Sequence, residues 1–158
     1  MSRSTNDAPL SFTISADAEY LQAVGRAFYN FAYMEWRIVH GISRLRQCPM
    51  WEAPAHQSGG SVAPKLDRAI KTTKLRLPGE LTKELKALVV SFRAAVDERN
   101  NLLHSVPFTD EDGSQRLGGK GHRKWRTQDV LELAKSFEDL SHRVGALLGD
   151  ELMKFLPA

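Results

Sequence analysis

Along three separate stretches of this chain, apolar residues return at alternating steps of three and four, a spacing that admits few folds other than a bundle of helices. Leu21, Val24, Phe28, Phe31, Ile38, Ile42 and Leu45 trace one face of a long first helix. Leu81, Leu85, Leu88, Phe92 and Ala95, flanked by Val89 and Val96, trace a second long helix whose place is the middle of the bundle. Val130, Ala134, Phe137, Val144 and Leu148 trace the last, with Leu133, Leu140 and Leu147 beside them. Between the first two, Ser61 to Thr73 reads as a short helix with Val62, Leu66 and Ile70 on one face. Around it stand Lys65, Arg68 and Lys71, continued by Lys74 and Arg76, either as a solvated face or as a contact for a nucleic-acid backbone. The pattern predicts an all-α fold: an antiparallel bundle of four to five helices, with a short hairpin or irregular basic loop between the last two main helices.

Local signals set the ends. Ser15 reads as the N-cap of the first helix, with Asp17 and Glu19 placed where the helix dipole favours negative charge, and Cys48-Pro49 stops it. Such a helix would be about 48 Å long, which calls for a kink, for which Gly25 is a candidate, or for an end that projects toward a second subunit. Gly25 would alternatively allow close packing with a neighbour. Met50-Trp51 lies in a Pro/Gly-rich connection and needs cover from the domain edge or an interface. Pro78 opens the central helix and Pro107 ends it. Asp110 to Gly113 is a turn signal between Val106-Pro107-Phe108 and Gln115-Arg116-Leu117, the makings of a short β-hairpin, and Thr127 caps the last helix.

At 158 residues the chain fits one domain, placed at 15–149, with a polar arm at 1–14 and a tail at 150–158. Its net charge of +3 permits a polyanionic partner without demanding one. The single Cys48, the polar start and the absence of a run of about 20 apolar residues point to a cytoplasmic protein with no membrane segment. No phosphate-binding glycine loop, dinucleotide fingerprint or metal-type Cys/His cluster occurs, so no cofactor and no metal are expected, and His40 reads as a helix-surface residue.

One position on the first stripe carries a charge. Between Phe31 and Ile38, where an apolar residue is due, stands Glu35. A carboxylate there needs a partner, for which Arg99 is the candidate; alternatively Glu35 lies at the edge of the stripe and meets water, Arg37 or Arg44. Arg99 itself extends the central helix's stripe three residues beyond Val96, toward the bundle interior or a subunit interface. It opens Arg99-Asn100-Asn101-Leu102-Leu103-His104, an arginine able to hold a phosphate and a histidine able to move a proton. Four residues return close to a full turn, so Asn100 can touch His104, whereas Arg99 and His104 differ by about 140°. They reach one phosphate only if the helix end distorts or if a second copy brings its own pair across a two-fold axis. Otherwise Arg99 is a salt-bridging residue at a helix end and His104 caps its own carbonyls.

After this motif the chain turns basic and glycine-rich. Arg116, Lys120, His122, Arg123, Lys124 and Arg126, with Trp125 among them, combine cations for phosphates with an aromatic face for a base, and form the candidate RNA-binding surface.

The run from Arg99 to His104 resembles the signature of the HEPN superfamily, an arginine, a polar residue and a histidine after four to six intervening residues, at the end of the third main helix of a four- or five-helix bundle. The resemblance covers the chain in helix order. It implies a metal-independent endoribonuclease, a toxin of a toxin–antitoxin pair or a defence component, working as a homodimer with a composite site. His104 would then be the general base or acid for attack of a ribose 2′-hydroxyl on its own phosphodiester, leaving a 2′,3′-cyclic phosphate and a 5′-hydroxyl. Arg99 would stabilise charge on the phosphoryl oxygens, Asn100 would orient His104 or the phosphate, and Glu35 would hold Arg99. The alternatives are a non-catalytic HEPN-like module that binds RNA, nucleotide or protein, and a bundle serving assembly alone.

Overall fold

The computed structural model describes residues 16–53, 61–119 and 123–157. In order it contains α1 (Ala18–Arg46), α2 (Val62–Thr72), α3 (Gly79–Leu103), the strands β1 (Val106–Thr109), β2 (Gln115–Gly118) and β3 (Lys124–Trp125), and α4 (Thr127–Val144), which continues as a π-helical turn over Gly145–Glu151. The fold is helical as expected, but it carries a three-stranded antiparallel sheet in the order β1-β2-β3 and is not purely all-α. The expected hairpin is present, pairing Pro107 with Leu117 and Phe108 with Arg116, and its turn is closed by Gly113 at φ 81°. Strand β3, two residues long, adds Trp125 beside Leu117; two residues are too few to print an alternating pattern in a sequence.

Helix α1 begins one residue after Asp17, whose carboxylate accepts the Glu19 amide at 2.9 Å. Ser15, the expected cap, lies outside the described residues. The helix ends where Gln47 enters the left-handed region at φ 51° and the Cys48 amide returns to the Ser43 carbonyl at 3.0 Å, just before Pro49. Its 29 residues run unbroken for about 43 Å, and a Cβ on Gly25 would meet nothing within 4 Å, so this glycine neither breaks the helix nor seats a neighbour.

The face that α1 buries differs from the one its large apolar residues suggest. Tyr20, Ala23, Ala27, Phe31, Met34, Ile38, Ile42 and Leu45 are buried, whereas Leu21 is 55% exposed and Val24 and Phe28 are half-buried. In the N-terminal half the true stripe sits one residue earlier, on alanines. Small side chains let helices approach closely, and reading a stripe from bulky residues alone overlooks them. The core position between Phe31 and Ile38 is therefore Met34, and Glu35 falls at its edge, half-buried.

The closest helix pair, α1 and α4, is parallel. Asn30 Nδ2 donates to the Ala134 carbonyl at 3.0 Å, Arg37 Nη1 to that of Ser141 at 2.8 Å, and Arg44 Nη1 to that of Leu148 at 2.8 Å. Equal steps along both helices fix a parallel register and a seven-residue repeat at the seam. Side chains of each helix fill the space over the other's glycines: a Cβ on Gly41 would stand 2.5 Å from Leu148 Cδ1, and one on Gly145 would stand 2.6 Å from Arg37 Nη1. Helix α3 runs the other way, since Ser91 meets Arg143 (3.4 Å) while Glu98 meets Arg123 (2.9 Å). Phe31, Phe92 and Phe137 from the three long helices meet at the centre, with ring centroids 6.0 and 5.3 Å from Phe31. Burial of each such ring contributes roughly 1.5–3 kcal/mol. Helix α2 is tied to the end of α1 by a bond from Thr73 Oγ1 to the Leu45 carbonyl (2.8 Å), and Lys71 there pairs with Asp67.

The bundle also reaches further than position 149, since Leu152 is buried and Phe155 packs on the core. The residues expected to form a tail thus supply part of the interior. Trp51 is 66% exposed and Met50 half-buried. No helix among the described residues is long and apolar enough to cross a membrane.

Candidate functional site

Helix α3 places the Arg99–His104 motif at its last turn. The helix is regular through Leu103, and the His104 amide still reaches the Asn100 carbonyl at 2.9 Å, an ordinary helical bond. His104 is the C-cap, at φ −92° and ψ 12°, and its imidazole is exposed without a hydrogen-bond or ion-pair partner among the described residues. Asn100 lies one turn back, half-buried, with its side-chain amide making no hydrogen bond among the described residues. Arg99 points the other way. Its guanidinium carbon lies 4.7 Å from the centre of the Phe31 ring, and its buried Nε has no acceptor. The helix end therefore does not distort to bring Arg99 and His104 together within one chain.

The expected pair between Glu35 and Arg99 does not form; among the described residues Glu35 makes no ion pair. The antiparallel register supplies the reason. With Phe92 facing Phe31, residues that follow Phe92 on α3 face residues that precede Phe31 on α1, so Arg99 reaches Phe31 from one side while Glu35 lies a turn beyond it on the other. The face of a ring substitutes for the carboxylate, a cation–π contact with part of the guanidinium left dry and unbonded.

The basic loop is organised for structure. Trp125 is completely buried, and its Nε1 donates to Ser105 Oγ at 2.9 Å, while Ser105 in turn donates to the Asn101 carbonyl at 2.6 Å. This chain ties β3 to the end of α3, and a Cβ on Gly119 would stand 3.2 Å from the same Ser105 oxygen. A ring held there cannot stack on a base, which corrects its assignment to an RNA surface. The neighbouring cations are paired with carboxylates: Arg116 with Asp17 at 3.5 Å, Arg123 with Glu98 at 2.9 Å and Lys124 with Asp110 at 2.7 Å. Each also covers a ring, of Tyr20, Trp125 and Phe108 in turn. Burial raises the Tyr20 phenol above its ordinary value, and the bond it accepts from the Leu117 amide at 3.1 Å anchors the sheet on α1. Arg126 is exposed, and its amide, at the N-cap of α4, donates to Asp129 at 2.9 Å. Lys120 and His122 lie outside the described residues.

Reading the sequence for large apolar stripes also missed a row on the opposite face of α1. Tyr29, Tyr33, Trp36 and His40 stand in line at steps of four, three and four, the same periodicity as the core but turned to the surface. The imidazole of His40 is half-buried, and desolvation, then the nearby Arg44, lowers its pKa. No group of three His, Cys, Asp or Glu side chains among the described residues is arranged to hold a metal ion. The chain matches no protein-family model, no curated protein and no solved structure, so kinship through Arg99 to His104 stands as a resemblance.

Proposed function

We propose that the protein is an endoribonuclease of the HEPN type that cuts RNA at a site shared between two copies of the chain. His104 of one copy takes the proton of a ribose 2′-hydroxyl as its oxygen attacks the adjacent phosphorus. The bond from phosphorus to the 5′ oxygen breaks, that oxygen receives a proton, and the products are a 2′,3′-cyclic phosphate and a 5′-hydroxyl. Arg99 stabilises the charge gathering on the non-bridging oxygens, and Asn100, on the face of His104, positions its ring or the phosphate. Glu35 is half-buried on α1 and, with no ion pair among the described residues, would meet a group of the second copy. A toxin or defence component held in check by an antitoxin protein is the setting in which such an activity belongs.

One observation carries the reading: α3 ends undistorted with a bare imidazole at its tip and, five residues back, an arginine whose Nε is dry and unsatisfied. Buried guanidinium nitrogens are ordinarily bonded, so an orphan Nε near the end of the helix that exposes His104, though on another side of it, supports a site whose acceptor one chain does not supply. The neutralised hairpin favours a second reading, a non-catalytic HEPN-like module that binds RNA, nucleotide or protein, because the cations expected to hold flanking RNA are already paired.

Cleavage of end-labelled single-stranded RNA in excess EDTA, by wild type and by His104→Ala prepared identically, separates the two. The nuclease predicts cyclic-phosphate ends from the wild type and a loss of about 10²-fold or more in the variant. Equal cleavage by both preparations, or none by either, removes the nuclease and leaves the binding module.

A further inference from the structure

We infer that the exposed aromatic row of α1, with the arginines beside it, is a docking surface for single-stranded RNA. It shares with the reading above only the RNA ligand and uses none of its catalytic residues. Tyr29 is 71% exposed, Tyr33 44% and Trp36 50%, a degree of exposure unusual for large rings in the middle of a long helix. Successive ring centroids from Tyr29 to His40 lie 6.5, 5.9 and 4.3 Å apart. The first two rings are within 6° of parallel and the next pair within 23°, so the three exposed rings share nearly one orientation, while His40 stands edge-on to Trp36 at 72°. Every base has a π-face, and a row of stacked rings extends into a stack of bases without choosing among them.

Charge decides the occupant. Arg37 and Arg44 are held by carbonyls of α4, at 2.8 Å each, and among the described residues neither pairs with a carboxylate. A guanidinium has five donors, so each keeps others for a phosphate while the bond to α4 fixes its position in advance. Arg26, beside Tyr29, is likewise without a carboxylate partner among the described residues. The acidic groups that line the clefts along the row are Glu138, paired with Lys135 at 3.3 Å, and Asp150, and Glu35 precedes Trp36 on the helix. This is the reverse of the hairpin, whose cations are neutralised by the chain itself. Trp36 and His40 border a cleft of about 400 Å³ along the α1–α4 seam, into which Arg37 and Arg44 face. A second copy docked here about a two-fold axis would set unneutralised arginines against their equivalents, at a desolvation cost that a polyanion avoids. Duplex RNA hides its base faces, which leaves the single strand.

The test is fluorescence anisotropy of a labelled single-stranded 2′-O-methyl RNA, which binds without being cut because it lacks the attacking hydroxyl. The double variant Tyr29→Ala/Trp36→Ala alters two exposed rings and is predicted to lose at least about tenfold in affinity with its circular dichroism and melting temperature unchanged. Lys86→Gln, which removes an exposed cation of α3, is predicted to stay within about twofold. Unchanged affinity in the aromatic variant overturns the proposal, as does failure of the wild type to bind. A shift of that variant from dimer to monomer at unchanged affinity would also overturn it, by making the row a self-association surface. If the wild type binds through the row but cuts no cleavable RNA, the docking surface stands and the nuclease alone falls.

Discussion

Trp125 shows how far a residue's surroundings can change its meaning. In sequence it sits among glycines and cations, the company of a base-stacking ring; in the fold it is fully buried and bonded to Ser105. Trp125→Phe leaves Ser105 Oγ without that donor and a gap where the indole was, and should lower stability by about 1–3 kcal/mol in urea denaturation. RNA affinity per folded molecule should be unchanged; a loss of affinity without a loss of stability would return the ring to the binding surface. Two glycines of α1 make a paired test. Gly25→Ala meets open space and should stabilise the helix by about 0.5–1 kcal/mol, whereas Gly41→Ala drives a methyl against Leu148 and should cost about 1–3 kcal/mol. Melting curves that move the same way for both would contradict the close α1–α4 approach.

Elements were legible where they repeat a long period and illegible where they are short or lean on small residues. The spans of α2, α3 and α4 and the β1–β2 hairpin follow from periodicity, prolines and the Asp110–Gly113 turn. The face of α1 did not, because its buried positions in the first half include Ala23 and Ala27 while the bulkier Leu21 and Phe28 turn outward or half outward. That single offset created the appearance of a charge on the core stripe at Glu35. The hairpin's charges were visible in sequence but their partners were not, since Asp17 and Glu98 come from distant positions. One of these pairs titrates in a defined window. The hydrogen bond from Lys124, then that from the Glu111 amide, holds the Asp110 carboxyl below the ordinary carboxylate range. A lowered carboxyl lends its stability fully above the unfolded value and loses it as pH falls through the folded one. The Glu111 amide resonance should therefore shift with a midpoint below that of a free aspartate; a midpoint at the free value would mean that Lys124 does not hold this group.

At the scale of the whole molecule, a bundle with its polar motif at a helix end could be read from sequence, as could the two ways in which Arg99 and His104 would share a phosphate, beside the alternative that they only close a helix end. A regular α3 removes one of them, because the helix does not bend to bring Arg99 to His104. The account then requires that one copy complete the site of another, a relation that no pattern within a single chain encodes. Mixing subunits tests this most directly. Arg99→Ala and His104→Ala are each purified, shown to be inactive, then combined and allowed to exchange. Mixed dimers contain one site with both groups intact, so the account predicts RNA cleavage with cyclic-phosphate ends returning on mixing, to a fraction of the wild-type rate. A wild type that cleaves, alongside a mixture as inactive as its two components after proven exchange, would contradict it.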